Sequence, residues 1–130
     1  MQILSNVSKR LADMHDAGYV HRDLKPANVM WLPRQNCWTV IDFGCAARIG
    51  AQAPLNFTLT YAAPEVVHAL VDGERVIQAS PALDALALGV MAFELLTGAR
   101  AFNLLTAGPA PVCVYLVQSA NDLHCQQTSG

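Results

Sequence analysis

Apolar residues recur at helical intervals over the first sixteen positions. Ile3, Val7, Leu11 and Met14 share one face and Gly18 offers a stop, so the spacing predicts an amphipathic helix over 2–16. Two short runs rich in β-formers follow, "NVMWL" (28–32) and "CWTVI" (37–41). The turn-like "PRQN" between them predicts a hairpin. Counting about Gln35, the middle of a 33–37 turn, sets Asn28 opposite Asp42. From Cys45 to Thr60 the periodicity fades, which reads as a loop. "APEVVHALV" (63–71) can start a helix, with Pro64 in its first turn. "LDALALGVMAFELL" (83–96) predicts a helix that is apolar nearly all round and buried on most sides, with only Asp84 and Glu94 charged. After Phe102 the texture changes to Gly and Pro, then "VCVYLV", then a polar end.

Composition narrows the class. A chain of 130 residues fits one small domain, and 53% hydrophobic residues suffice for a core. The net charge is −2 and the eight basic residues are scattered, so no nucleic-acid partner is expected. Cysteines 37, 45, 113 and 125 form no CxxC pair, which reads as free thiols and an intracellular, cytoplasmic setting. The start carries its charge after a short apolar patch, the reverse of a secretory signal. Residues 101–121 are uncharged, yet Asn103, Gly108, Pro109, Pro111, Gln118 and Ser119 argue against a membrane span.

Charge gathers in "HRDLKPAN" (21–28), at the mouth of the first predicted strand. Facing residues of antiparallel strands have Cα atoms about 5 Å apart. The expected pairing therefore aims the side-chain oxygens of Asn28 and Asp42 at one small ion. Few, hard oxygen ligands suit Mg²⁺ held jointly with a substrate's phosphates. Asp23, on the loop before Asn28, can orient a hydroxyl. Lys25, beside it, is a cation for developing phosphate charge. Taken singly, Asp23 fits a cap or turn, Asn28 a strand edge and Asp42 a turn. His15 and His68 read as helix-face residues.

Together these residues resemble the protein kinase family. "HRDLKPAN" resembles its catalytic loop, "DFG" (42–44) its magnesium motif and "APE" (63–65) the end of its activation segment. Chance matches the seven specified residues of the first motif roughly once in a billion positions. The resemblance covers about residues 2–102. It implies an α+β fold, the large lobe of a protein kinase, mostly helical with a small β-hairpin. The remaining residues, 103–130, read as an atypical tail. The implied reaction moves the ATP γ-phosphoryl group to a serine or threonine hydroxyl of a protein substrate, with Mg²⁺. Asp23 would orient the hydroxyl and Lys25 would neutralise the transferred group. Asn28 and Asp42 would hold magnesium. His21 would brace the loop, with Phe43 and Gly44 completing the magnesium motif. Thr58 and Lys25 are marks of the serine/threonine branch. Asp84 would tie down the catalytic-loop backbone, though the tryptophan usual two residues later is Leu86. Arg22 would pair with a phosphorylated activation loop. Yet residues 45–57 hold no Ser, Thr or Tyr. Leu55 and Phe57 are then expected to order the loop by packing, or Arg22 takes a carboxylate; Thr60 is the alternative switch.

Other parts of the family pattern are missing. No GxGxxG occurs, the only lysines are Lys9 and Lys25, and the first glutamate is Glu65. The family's small lobe, with its lysine–glutamate pair, is therefore expected to be absent. Glu65 has no evident arginine partner, since the only arginines after it are Arg75 and Arg100. The expectation is a serine/threonine kinase that is weak or inactive as this chain alone. The rival is a non-catalytic, kinase-derived interaction module.

Overall fold

Helix α1 (Gln2–Asp16) buries Val7 and Leu11, the centre of the predicted apolar stripe. These coordinates are a computed structural model, which describes residues 1–55, 58 and 61–101. After α1 come β1 (Tyr19–Val20), a 3₁₀ turn (Pro26–Asn28), β2 (Val29–Leu32), β3 (Cys37–Val40), β4 (Ala47–Arg48) and β5 (Gln52–Pro54). Helix α2 (Pro64–Val71), β6 (Val76–Gln78) and helix α3 (Pro81–Thr97) follow. This is an α+β arrangement of three helices and three two-stranded antiparallel ladders among the described residues, β1–β4, β2–β3 and β5–β6. The single expected hairpin is thus one of three ladders. The 45–60 region was expected to be a loop; it contains β4 and β5, whose two or three residues are too few to show a period of two.

The β2–β3 register also differs from the expected one. Val29 faces Val40 and Leu32 faces Cys37, so the turn is the four residues 33–36 and has no central residue. Asn36 closes it with a left-handed backbone, φ 50°, a conformation that asparagine tolerates better than most residues. Asn28 therefore meets Ile41, whose N–H donates to the Asn28 carbonyl at 2.8 Å, and not Asp42. A one-residue slip turns side chains to the other face. Asn28 and Asp42 remain at the same open end of the hairpin but are not a cross-strand pair.

Helix α3 starts two residues earlier than its apolar run. Ser80 caps it by accepting the Ala82 N–H at 3.3 Å, Pro81 fits the first turn, and Gly98 at φ 70° ends it. It is less buried than its composition implies. Leu83, Asp84, Ala87, Val90 and Met91 are buried, while Phe93, Leu95 and Leu96 near its end are exposed. One core cluster joins α1 to α3 through Val7, Leu11, Leu24, Val40, Val90 and Met91. A second joins Val20, Ala63, Val66, Val67 and Leu83. The catalytic-loop candidates lie between the two, because Leu24 enters the first and Val20 the second. Among the described residues no helix is long and apolar enough to cross a membrane. Phe57, Thr60 and the expected tail at 103–130 lie outside the described residues.

Candidate active site

The segment from His21 to Asn28 is held from below by α3. Asp84 is 1% exposed, and a carboxylate at that depth requires partners. Its Oδ2 accepts the His21 N–H at 2.8 Å and its Oδ1 accepts the Arg22 N–H at 2.9 Å. His15 Nε2 lies 2.8 Å from the same Oδ2. These bonds fix a backbone that is otherwise strained, since Arg22 has φ 73°. The sequence predicts His15 only as a helix-face residue, and the structure adds its bond to Asp84. The signal was present: His15 continues the Val7–Leu11 spacing by four, on the buried side of α1.

His21 is fully buried and ties three segments together. Its Nε2 lies 2.9 Å from the Ile41 carbonyl, which can only accept, so Nε2 carries the proton. Its Nδ1 then accepts the Asp23 N–H at 3.1 Å. The ring meets Phe43 edge-on, with centroids 5.5 Å apart.

Above this floor stands a small polar cluster. Thr58 donates its hydroxyl to Asp23 Oδ1 at 3.0 Å, and Lys25 Nζ donates to the Thr58 oxygen at 3.0 Å. Lys25 Nζ is 3.6 Å from Asp23 Oδ2. Asn28 is buried, and its Nδ2 donates to the Asp23 carbonyl at 2.8 Å and to Asp23 Oδ2 at 3.3 Å. The carboxylate of Asp23 is thereby aimed by two partners further along the chain, Asn28 five residues on and Thr58 35 residues on. A cleft of about 340 Å³ adjoins it, lined by Lys25, Pro26, Ala27, Thr58, Tyr61, Glu94 and Arg100. Tyr61 donates to Glu94 Oε2 there at 2.6 Å. Burial first, and that bond to Glu94 second, push the Tyr61 hydroxyl up to about 12.

Asp42 projects from the open end of the hairpin with φ 61°, exposed to solvent. Its Oδ1 accepts the Gly44 N–H at 3.2 Å. A Cβ at position 44 would also stand 3.2 Å from that oxygen, so glycine lets the chain double back there. Bonding through Asn28 Nδ2 leaves the amide oxygen to face a ligand. One amide oxygen and one exposed carboxylate are hard donors of the kind magnesium takes. Among the described residues no three His, Cys, Asp or Glu side chains gather to hold a metal by themselves. An ion here would share its shell with a ligand's oxygens.

Arg22 takes no carboxylate among the described residues, contrary to one expectation. Its guanidinium donates to the Cys45 carbonyl at 3.0 Å and to the Pro54 carbonyl. Leu55 packs against the second core cluster, as a half-buried side chain. Glu65 is exposed at the start of α2, while Arg100 lies 3.9 Å from Glu94.

The family model described as "Protein kinase domain" matches residues 1–108. Serine/threonine-protein kinase Kist of Mus musculus is 33% identical over 101 residues, 73% of this chain and 24% of its own length. Serine/threonine-protein kinase Pkn1 of Myxococcus xanthus is 37% identical over 113 residues, 79% of this chain and 15% of its own length. The chain thus spans about a quarter or less of these curated relatives. Among solved structures, the Cydia pomonella granulovirus kinase PK-1 superposes with a TM-score of 0.65 at 24% identity, over 85% of this chain and 39% of that one.

Proposed function

The chain belongs to the protein kinase family, and from that premise we propose that the Asp23 cluster serves transfer of the ATP γ-phosphoryl group to a serine or threonine hydroxyl of a protein. The observation that carries this reading is the hydrogen-bond set Thr58–Asp23–Lys25, with Asn28 bracing Asp23. Asp23 orients the attacking hydroxyl and accepts its proton at the carboxylate. Thr58 and Asn28 restrict that carboxylate to one pose, which turns binding into productive alignment. Lys25 brings its charge next to the reacting oxygens, within reach of phosphate charge that grows during transfer. Asn28 and Asp42 would hold magnesium through the amide and carboxylate oxygens. When bound, Mg²⁺ and ATP supply the phosphoryl group and neutralise charge on its oxygens. His21 and Asp84 act through the backbone, fixing where Asp23 begins.

The test is transfer of labelled phosphate from ATP to a mixture of serine- and threonine-containing peptides by the full chain. Asp23→Asn is expected to abolish transfer while leaving the thermal melt within a few degrees. Transfer that survives Asp23→Asn overturns the reading. No transfer by the unaltered chain, alongside intact folding, favours the non-catalytic module instead.

A further inference from the structure

Residues 45–55 run from the magnesium-site candidates towards Thr58, and their backbone is bonded at nearly every step. Ile49 N–H donates to the Gly18 carbonyl at 2.9 Å, and Gly50 N–H to the Ala79 carbonyl at 2.8 Å. Ala79 N–H returns to the Ala51 carbonyl at 2.9 Å, and Leu55 N–H reaches the Arg75 carbonyl at 3.0 Å. Between these, β5 pairs with β6, Ala53 opposite Ile77, and Ala53 is only 4% exposed. Arg22 then spans the segment, one nitrogen on the carbonyl of Cys45 and another on that of Pro54. Its Nε is buried without a partner.

We propose that Arg22 is a positioning residue that ties residues 45–55 in place through backbone carbonyls, so that this segment orders with no phosphate on it. An arginine without a carboxylate is also what an added phosphate would seek. Two observations favour the backbone tie instead. The guanidinium already donates to both ends of the segment, and residues 45–57 contain no hydroxyl to phosphorylate. The strand pairing with β6 supplies the rest of the order from the backbone, independent of charge. Arg22 also has its own backbone fixed by Asp84, so the tie begins from a rigid point.

The proposal concerns regulation of the site assigned above, but it is read from backbone exchange, so it stands or falls separately from catalysis. The measurement is amide hydrogen exchange of the full chain, before and after phosphatase treatment, with Arg22→Gln in parallel. Phosphatase is expected to leave exchange across 45–55 unchanged. Arg22→Gln is expected to speed it by about tenfold or more, the loss of two bonds from a charged donor, while α1 keeps its rate. Arg22→Lys, a single ammonium without the fork, is expected to restore only part of the protection. Exchange that phosphatase alone raises to the Arg22→Gln rate overturns the proposal. So does an Arg22→Gln chain that exchanges like the original. The phosphatase arm uses the unaltered chain and decides even if the variant unfolds.

Discussion

Thr58 and Asp23 are joined by a 3.0 Å hydrogen bond across 35 residues of sequence, the hydroxyl donating to Oδ1. The same oxygen of Thr58 accepts from Lys25, so the threonine bridges two opposite charges that stand 3.6 Å apart. Thr58→Val keeps the shape and removes both bonds. Lys25 is then expected to close on Asp23, drawing both away from substrate. A hydrogen bond to a charged group contributes about 1.5–3 kcal/mol, so phosphoryl transfer is expected to fall about 10- to 100-fold. Thr58→Ser should recover most of it. Equal turnover by the valine and threonine forms would rule out this role.

Asp84 offers a test that needs no activity. Its carboxylate satisfies the N–H groups of His21 and Arg22 inside the core, at 1% exposure. Asp84→Ala leaves those donors buried without acceptors. Each unsatisfied group costs about 1–3 kcal/mol, so the chain should lose about 2–6 kcal/mol of stability in a denaturant titration. Asp84→Asn retains one acceptor oxygen and should fall between. A loss below about 0.5 kcal/mol, the range of an ordinary surface change, would mean that the His21–Asn28 segment is held by something else.

The helices were legible because their signals are local. Val7 and Leu11 repeat at the helical period, Pro64 and Pro81 suit first turns, and Gly98 marks an end. The hairpin existed in the sequence as two β-rich runs, but its register depended on one extra turn residue. Asn36 in a left-handed conformation settled that at four residues, and Asn28 moved from facing Asp42 to facing Ile41. Strands β1, β4, β5 and β6 were not legible. They have two or three residues each and exist because partners from distant segments satisfy their backbones. The resemblance to the kinase family pointed to Asp23, Lys25, Thr58 and Asp84. It missed His15 and the Tyr61–Glu94 pair, whose bonds arise only when α1 and the segment before α2 pack on α3.

Nucleotide binding should depend on magnesium. Lys25, Asn28 and Asp42 offer one cation and two kinds of hard oxygen, groups suited to phosphate and metal. Titrating ATP by calorimetry with and without Mg²⁺ is expected to show at least about a tenfold loss of affinity without the metal, equal to about 1.4 kcal/mol. Asp42→Asn should reduce that dependence. Affinity that ignores both magnesium and position 42 would exclude these residues as metal ligands.

Tyr61 and Glu94 give a prediction at alkaline pH. The phenol is raised to about 12 by burial and by its bond to the Glu94 carboxylate, against about 10 in an unfolded chain. A raised pKa means that the folded state holds the proton more tightly. The stabilisation is therefore fully present below about pH 10 and is lost as pH rises from there through 12. Phenolate absorbance should show one tyrosine titrating late among the tyrosines of the chain, and chemical stability should decline across the same window. Glu94→Gln removes the negative charge but keeps a hydrogen-bond acceptor, so only the electrostatic share of the shift should disappear. The late titration should then move back towards pH 10 without reaching it, because burial is the larger cause. Tyr61→Phe should abolish the late component and flatten the stability profile between pH 10 and 12. If the late component persists in Tyr61→Phe, it belongs to another tyrosine and the Tyr61–Glu94 bond has no part in it.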